Sequence, residues 1–279
     1  MKKLALAVSI LAASAVSASA ADLAARPYSK APPAVLSPAY NWTGFYVGGN
    51  VGGVWERDSG TTNFLQPGNP PPFSPNPQVN SLNSSALIGG IHAGYNWQMA
   101  QWVFGVEADW DWTTTKNGFC RQTDAFGNPP PCADTGRGFL TLNEKTQWLG
   151  SARGRLGYAW DRFLVYGTGG AAWGKIDTSI NANCLVNGCG VSSLQVNTTA
   201  NFSDTKVGWV AGAGIEAMLS ASWIARVEYL HYDFGSVTST RNLTDPGIVQ
   251  SATWSRSFRY DTVRAGLSYK FGGPVVAKY

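Results

Sequence analysis

The sequence predicts an all-β chain: an eight-stranded antiparallel transmembrane β-barrel with short periplasmic turns and long extracellular loops. Three observations predict it. The first is the stretch WVFGVEADWDWT at residues 102–113, where Trp102, Phe104, Val106, Ala108, Trp110 and Trp112 alternate with Gly105, Glu107, Asp109 and Asp111. Successive strand side chains point to opposite faces, so this ribbon carries one apolar and one acidic surface. A soluble sheet buries the apolar face in its core. A barrel in lipid turns it outward and keeps the charges in its lumen. The second observation is that the connections between such ribbons alternate between short and long. The third is an export signal at the start of the chain.

That signal is residues 1–20: Lys2 and Lys3, a short apolar run, then a small-residue stretch closing on Ala18, Ser19 and Ala20. The apolar run is too short to span a bilayer as a helix. Cleavage after Ala20 leaves 19 basic against 17 acidic residues, from the 21 and 17 of the whole chain. A balance so close to neutral gives no reason to expect nucleic acid as a partner. Residues 21–40, with Pro27, Pro32, Pro33 and Pro38, read as a flexible periplasmic tether. Residues 41–279 read as the barrel.

Within it, eight segments have the length a tilted strand needs to cross a bilayer, ~9–11 residues or slightly more. They are residues 45–55, 86–97, 102–113, 148–160, 163–176, 207–219, 223–233 and 260–271. The first sets Phe45, Val47, Val51 and Trp55 against Tyr46, Asn50 and Val54. The second sets Leu87, Ile91, Tyr95 and Trp97 against Ile88, His92 and Asn96. The fourth opposes Arg153 and Arg155 to Ala152, Leu156 and Tyr158. The fifth is so rich in Gly and Ala that its faces cannot be assigned. The sixth opposes Glu216 to Val207, Trp209 and Ile215; the seventh opposes Arg226 and Glu228 to Val227 and Tyr229. The eighth opposes Arg264 and Lys270 to Val263, Leu267 and Phe271. A membrane helix over residues 207–225 is a poor rival, since it would bury Glu216 and carry Gly208, Gly212 and Gly214.

Short connections follow the second, fourth and sixth segments. Long ones cover residues 56–85, 114–147, 177–206 and 234–259, and segments such as 66–78 and 127–131 are too rich in Pro to pair as regular strands. These loops are where a ligand would meet the protein, and the sequence names none. Aromatic residues gather at both ends of the crossing segments, as interfacial Trp and Tyr do. The expected girdle is Trp97, Trp102, Trp160 and Trp223 beside the short turns, and Trp55, Trp110, Trp112, Trp148, Trp173 and Trp209 beside the long loops. Composition agrees, with 12 Trp, 32 Gly and only 14% charged residues. The surrounding outer-membrane lipid is the partner this pattern requires.

The expected lumen charges are Glu107, Asp109, Asp111, Glu216 and Glu228 against Arg153, Arg155, Arg226, Arg264 and Lys270. An eight-stranded barrel is only wide enough for side chains to fill, and buried charges must pair. The expectation is a salt-bridge network that closes the bore; the alternative is an ion path through a small porin. The four cysteines lie in the long connections, and local disulfides pairing Cys120 with Cys132 and Cys184 with Cys189 are expected in an oxidising compartment. No metal or other cofactor is expected. An enzyme is not expected either: a lipid-modifying activity would need a nucleophile beside a histidine at the outer rim, and only His231 with Ser236 offers the residue types.

The stretches NWTGFYVGGNVGG at residues 41–53, QWLGSARGRLGYAWDRFLVYGTGGAAWG at 147–174 and YDTVRAGLSYKFGGPVVAKY at 260–279 resemble the alphaproteobacterial outer-membrane immunogenic protein, or surface-antigen, family of OmpA-like, porin-like barrels. The resemblance covers nearly all of the chain after the signal. It implies a surface antigen of a Gram-negative outer membrane with no defined reaction. It also implies recognition by the barrel-assembly machinery through a terminal aromatic, here Phe271 or Tyr279.

Overall fold

The computed structural model describes residues 40–65, 78–122, 139–184, 196–245 and 248–271. The expected signal and all of the expected tether but Tyr40 lie outside the described residues. Eight strands run in chain order: β1 (Gly44–Leu65), β2 (Gln78–Met99), β3 (Trp102–Gln122), β4 (Phe139–Trp160), β5 (Phe163–Cys184), β6 (Val196–Met218), β7 (Trp223–Asp245) and β8 (Ile248–Lys270). Each pairs antiparallel with its neighbour, and β8 pairs back to β1, so the sheet closes. Closure gives every ladder N–H and C=O in the crossing region a partner, which lipid demands.

The faces follow the alternation. In β3, Val106 is 53% exposed while Glu107 is 4% exposed. Trp110 and Val263 face outward; Arg264 is 1% exposed inside. β5, whose faces the sequence leaves open, buries Leu164, Tyr166 and Ala172 and exposes Val165. Its backbone pairing with β4 and β6 supplies the parity that its Gly and Ala cannot.

Two turns are as tight as a hairpin allows. Ala100 and Asp161 each open a two-residue turn in left-handed backbone, with φ of 54° and 53°. Right-twisting strands favour such turns, at a cost of about 1–2 kcal/mol for a residue with a Cβ.

The strands are about twice as long as the apolar segments, 21 to 23 residues each. The regions expected as long connections are therefore mostly strand near their ends. What separates the strands there is residues 66–77, 123–138, 185–195 and 246–247, outside the described residues. The fourth connection thus shrinks to two residues between β7 and β8. The polar Thr, Ser and Asn of these extensions keep a hydrogen-bond ladder without needing an apolar face.

Beyond the upper Trp level the cylinder divides. Pairing of β2 with β3 stops at Ile88 opposite Thr113, and pairing of β6 with β7 stops at Trp209 opposite Asp233. The other six pairings continue upward. Two four-stranded leaves result, β7-β8-β1-β2 and β3-β4-β5-β6. A bulge at Gln147, where β4 shifts register against both neighbours, marks the point of division on the second leaf.

Candidate functional site: the layered lumen

The lumen is filled in layers. Nearest the short turns, Trp42 is fully buried against Val103, Ala159, Leu164, Tyr166, Met218 and Ile224, and its backbone N–H donates to Gln98 Oε1 at 2.7 Å. It precedes β1 and forms a floor. Sequence reading missed it because it stands ahead of the first alternating run.

Above the floor lie the charges. Arg153 from β4 donates through Nη2 to Glu107 at 2.5 Å and Asp109 at 2.8 Å, both on β3, and through Nη1 to Glu228 on β7 at 2.9 Å. Arg155 reaches Glu216 on β6 at 2.6 Å and Glu107 at 3.3 Å. Arg226 on β7 crosses the bore to Glu107 at 2.6 Å. Arg264 on β8 pairs with Glu228 at 2.8 Å, with Asp109 at 3.3 Å and with Asp111. No side chain in these pairs is more than 3% exposed. Hydroxyls complete the ring. Tyr46 donates to Glu107 at 2.7 Å, Tyr166 to Glu228 at 2.9 Å and Ser151 to Asp109 at 2.5 Å.

Four arginines therefore meet five carboxylates. Lys270, expected among the cations, stands apart: it is buried near the short turns, and its Nζ donates to the Asn41 carbonyl. The balance of five against five is corrected to four against five within the network.

The register explains how the arginines fit. Each lies directly opposite a glycine on one neighbouring strand: Arg153 opposite Gly170, Arg155 opposite Gly105, Arg226 opposite Gly266 and Arg264 opposite Gly52. A Cβ at Gly52 would stand 2.1 Å from the Val263 carbonyl, and one at Gly170 would stand 2.1 Å from the Ala152 carbonyl. Small residues let the guanidinium stems lie flat against the wall and reach the far side. On the other flank, Arg153, Arg226 and Arg264 face Glu107, Glu216 and Glu228 across the ladder. Without the register, the glycines could not be matched to the arginines from sequence.

Above the charges is an apolar layer: Val54, Ile88, Leu149, Val210, Leu230, Tyr232 and neighbours, all with inward parity. The expectation of a polar lumen missed this layer, although Val54 and Ile88 already carried that parity in the sequence.

At the mouth a second charged cluster joins the two leaves. Arg256 of β8 pairs with Asp58 of β1 at 2.7 Å and with Glu144 of β4, on the other leaf, at 2.8 Å. Asn117 of β3 donates to Glu56 of β1 at 2.6 Å, and the Thr146 and Tyr260 hydroxyls meet across the leaves at 2.9 Å. Burial outweighs the Arg256 guanidinium and pushes the Glu144 carboxyl up to about 9, with the Asp58 charge adding to the rise. Burial also raises Asp58.

The outer face carries the expected aromatics. Trp55, Trp110, Trp112 and Trp209 are exposed at the upper level, Trp148 and Trp173 are partly covered there, and Trp97, Trp102, Trp160 and Trp223 are exposed near the short turns. Trp110 stacks on Trp148 at 4.0 Å, and Trp102 meets Tyr158 edge-on at 5.5 Å. His231 donates through Nδ1–H to Asp261 at 2.8 Å, and Tyr229 donates to the same carboxylate oxygen at 2.6 Å. Ser236 is paired in the ladder with Ser257 instead. Cys120 and Cys184 lie in the upper extensions of β3 and β5 rather than in loops, while Cys132 and Cys189 lie outside the described residues.

Residues 8–271 match the family model described as the outer membrane protein beta-barrel domain. The chain is 34% identical over 269 residues to a 31 kDa outer-membrane immunogenic protein of Brucella melitensis biotype 1, covering 94% of this chain and 97% of that one. It is 28% identical to a 22 kDa outer membrane protein of Rhizobium leguminosarum bv. viciae, covering 85% and 82%. Among solved structures it is similar to the outer membrane protein OprG from Pseudomonas aeruginosa, at 13% identity and a TM-score of 0.38, covering 84% and 99%.

Proposed function

The chain belongs to the outer-membrane β-barrel family, among the alphaproteobacterial outer-membrane immunogenic proteins, and from that premise we propose that it is a closed, structural barrel whose purpose is to hold surface-exposed strands and loops. The protein sits in the outer membrane of a Gram-negative bacterium, with its short turns on the periplasmic side and its long extensions outside. One observation carries the closed-lumen reading: Arg226 and Arg264 reach across the bore to β3 with side chains only 1% exposed. A water-filled passage would leave such groups hydrated. A buried ion pair is seldom worth more than an apolar pair of the same volume. Its use here is to lock five strands in one register and to fill the bore without leaving an unpaired charge. The Trp42 floor and the apolar layer seal the network from either end.

The reading assigns the chain a surface role of antigen or adhesin type and invokes no catalytic step; Ser236, the hydroxyl that would have to stand beside His231, lies opposite Ser257 in the β7–β8 ladder. The reading takes Phe271, whose ring lies 5.7 Å from Phe45 and whose N–H donates to the Phe45 carbonyl, as the aromatic the assembly machinery reads; Tyr279 lies outside the described residues.

Single-channel recording in planar bilayers tests the proposal. The refolded protein, verified by heat-modifiable migration, should give no stepwise current. A stable open state whose ion selectivity shifts on Arg153→Ala would overturn the closed lumen and make the chain a small porin.

A further inference from the structure

The outer wall is not electrically uniform just above the upper Trp level. On β1, β7 and β8, Arg57 lies 3.4 Å from Asp261, and Arg259 lies 3.2 Å from Asp233. Those cations are matched. On the opposite side of the ring, β3, β4 and β5 carry Lys116, Lys145 and Lys175, and among the described residues none of them is within ion-pair distance of an acid. Lys116 faces Lys145 directly across the β3–β4 ladder. Like charges placed opposite one another destabilise a sheet, so an anion between them is the natural occupant. Asp177 lies opposite Lys145 across the β4–β5 ladder and accepts a hydrogen bond from Gln147 at the bulge, while Glu144, which also lines the cleft, is buried toward the mouth; the outward patch of three lysines and one carboxylate keeps a net charge of about +2.

Position tells what kind of anion. Lys116 and Lys145 stand three to four residues above the Trp112–Trp148 pair, and Lys175 pairs in the ladder with Trp148 itself. At a rise of ~3.4 Å per residue and a tilt of ~45°, that is roughly 7 Å beyond the aromatic level. The polar layer of a bilayer leaflet is about 5–8 Å thick. Lys116 and Lys145 thus stand at the depth of lipid phosphates, over a belt of rings that packs against acyl chains, and Lys175 starts at the aromatic level, from which its four-carbon stem carries the ammonium toward the same layer. Asn143, Gln147, Ser179 and Asn201 line the same cleft of about 720 Å³, and their amides and hydroxyls suit a sugar or phosphate oxygen. An ammonium on a flexible stem serves a phosphate as a point charge.

We propose that Lys116, Lys145 and Lys175 form a binding site on the β3–β5 wall for the phosphorylated headgroup of an outer-leaflet glycolipid. The site gives the barrel a preferred boundary lipid on one side only. It rests on the membrane placement and is independent of whether the lumen conducts.

Native mass spectrometry of the refolded protein tests it, with diphosphorylated lipid A, its dephosphorylated form and inorganic phosphate as probes. The diphosphorylated lipid should bind in preference, and Lys145→Gln should weaken it about fivefold. The combined Lys116→Gln, Lys145→Gln and Lys175→Gln variant should weaken it roughly a hundredfold at unchanged heat-modifiable migration. Arg57→Gln with Arg259→Gln, on the matched side, should leave it unchanged. Equal binding of both lipid forms, equal retention by the lysine variants, or displacement of the lipid by an equal concentration of inorganic phosphate would each overturn the site.

Discussion

Arg153→Ala offers the sharpest test of the lumen. The guanidinium meets Glu107, Asp109 and Glu228 at 2.5–2.9 Å, and its side chain is wholly buried. Its removal leaves three arginines against five carboxylates with no route to bulk water. Breaking a buried ion pair by removing one partner costs about 3–5 kcal/mol, because the remaining charge stays desolvated. The folded population relative to the unfolded should therefore drop by some two to three and a half orders of magnitude. Urea unfolding in lipid vesicles, followed by Trp fluorescence, reads this as a lower midpoint at unchanged slope. Arg153→Met separates charge from volume. It keeps most of the side-chain bulk and should cost nearly as much. Adding Glu107→Gln to Arg153→Met restores the original excess of one carboxylate over the arginines, so the double variant should recover more than ~1 kcal/mol relative to additivity. A cost below ~1 kcal/mol for Arg153→Ala, the value of a solvent-exposed pair, would refute the dry network.

Two further outcomes follow from the wall and the mouth. Gly170→Ala places a Cβ 2.1 Å from the Ala152 carbonyl and should lower the same urea midpoint by about 1–3 kcal/mol of stability, whereas Gly169→Ala, whose nearest atom would be 3.5 Å away, should be near neutral; equal effects would mean the inner wall has slack. Glu144 has a raised carboxyl, so the folded state binds its proton more tightly than the unfolded chain does, and stability at the mouth is full below the unfolded value and declines as pH rises toward about 9. Hydrogen exchange of β4 residues 139–147 should accelerate across that window in the native protein and much less in Glu144→Gln; an unchanged profile in the variant would remove Glu144 from the clasp.

The crossing half of the fold was legible because lipid imposes a rule the sequence must obey at every second residue. Val106 and Glu107 could not exchange faces without a large cost, so their alternation announces which side is wet. The upper extensions were illegible for the same reason: with water on the outside, a residue such as Thr61 or Ser257 is tolerated on either face, and no alternation marks the strand. Hydrophobic length therefore gave the membrane thickness and not the strand length. In the lumen, parity put all ten expected charges inside, but contact depends on stagger around the ring. Arg226 and Glu107 are 119 positions apart and four strands removed, on opposite sides of the ring, and only the narrow bore of the closed barrel brings them to 2.6 Å. Trp42 had no periodic neighbour to reveal it. Lys270 had the right parity at the wrong height, six residues along β8 from Arg264 toward the short turns.

The extra strand length has a reach. From Trp55 to the end of β1 at Leu65 the chain continues ten residues past the aromatic level. At ~3.3 Å per residue and a tilt of ~40°, that raises the end of β1 roughly 25 Å above the aromatic level. Any sugar coat rooted in the leaflet surrounds a stiff, two-sided turret of paired strands. What crowns the turret is presented at arm's length to whatever approaches the cell.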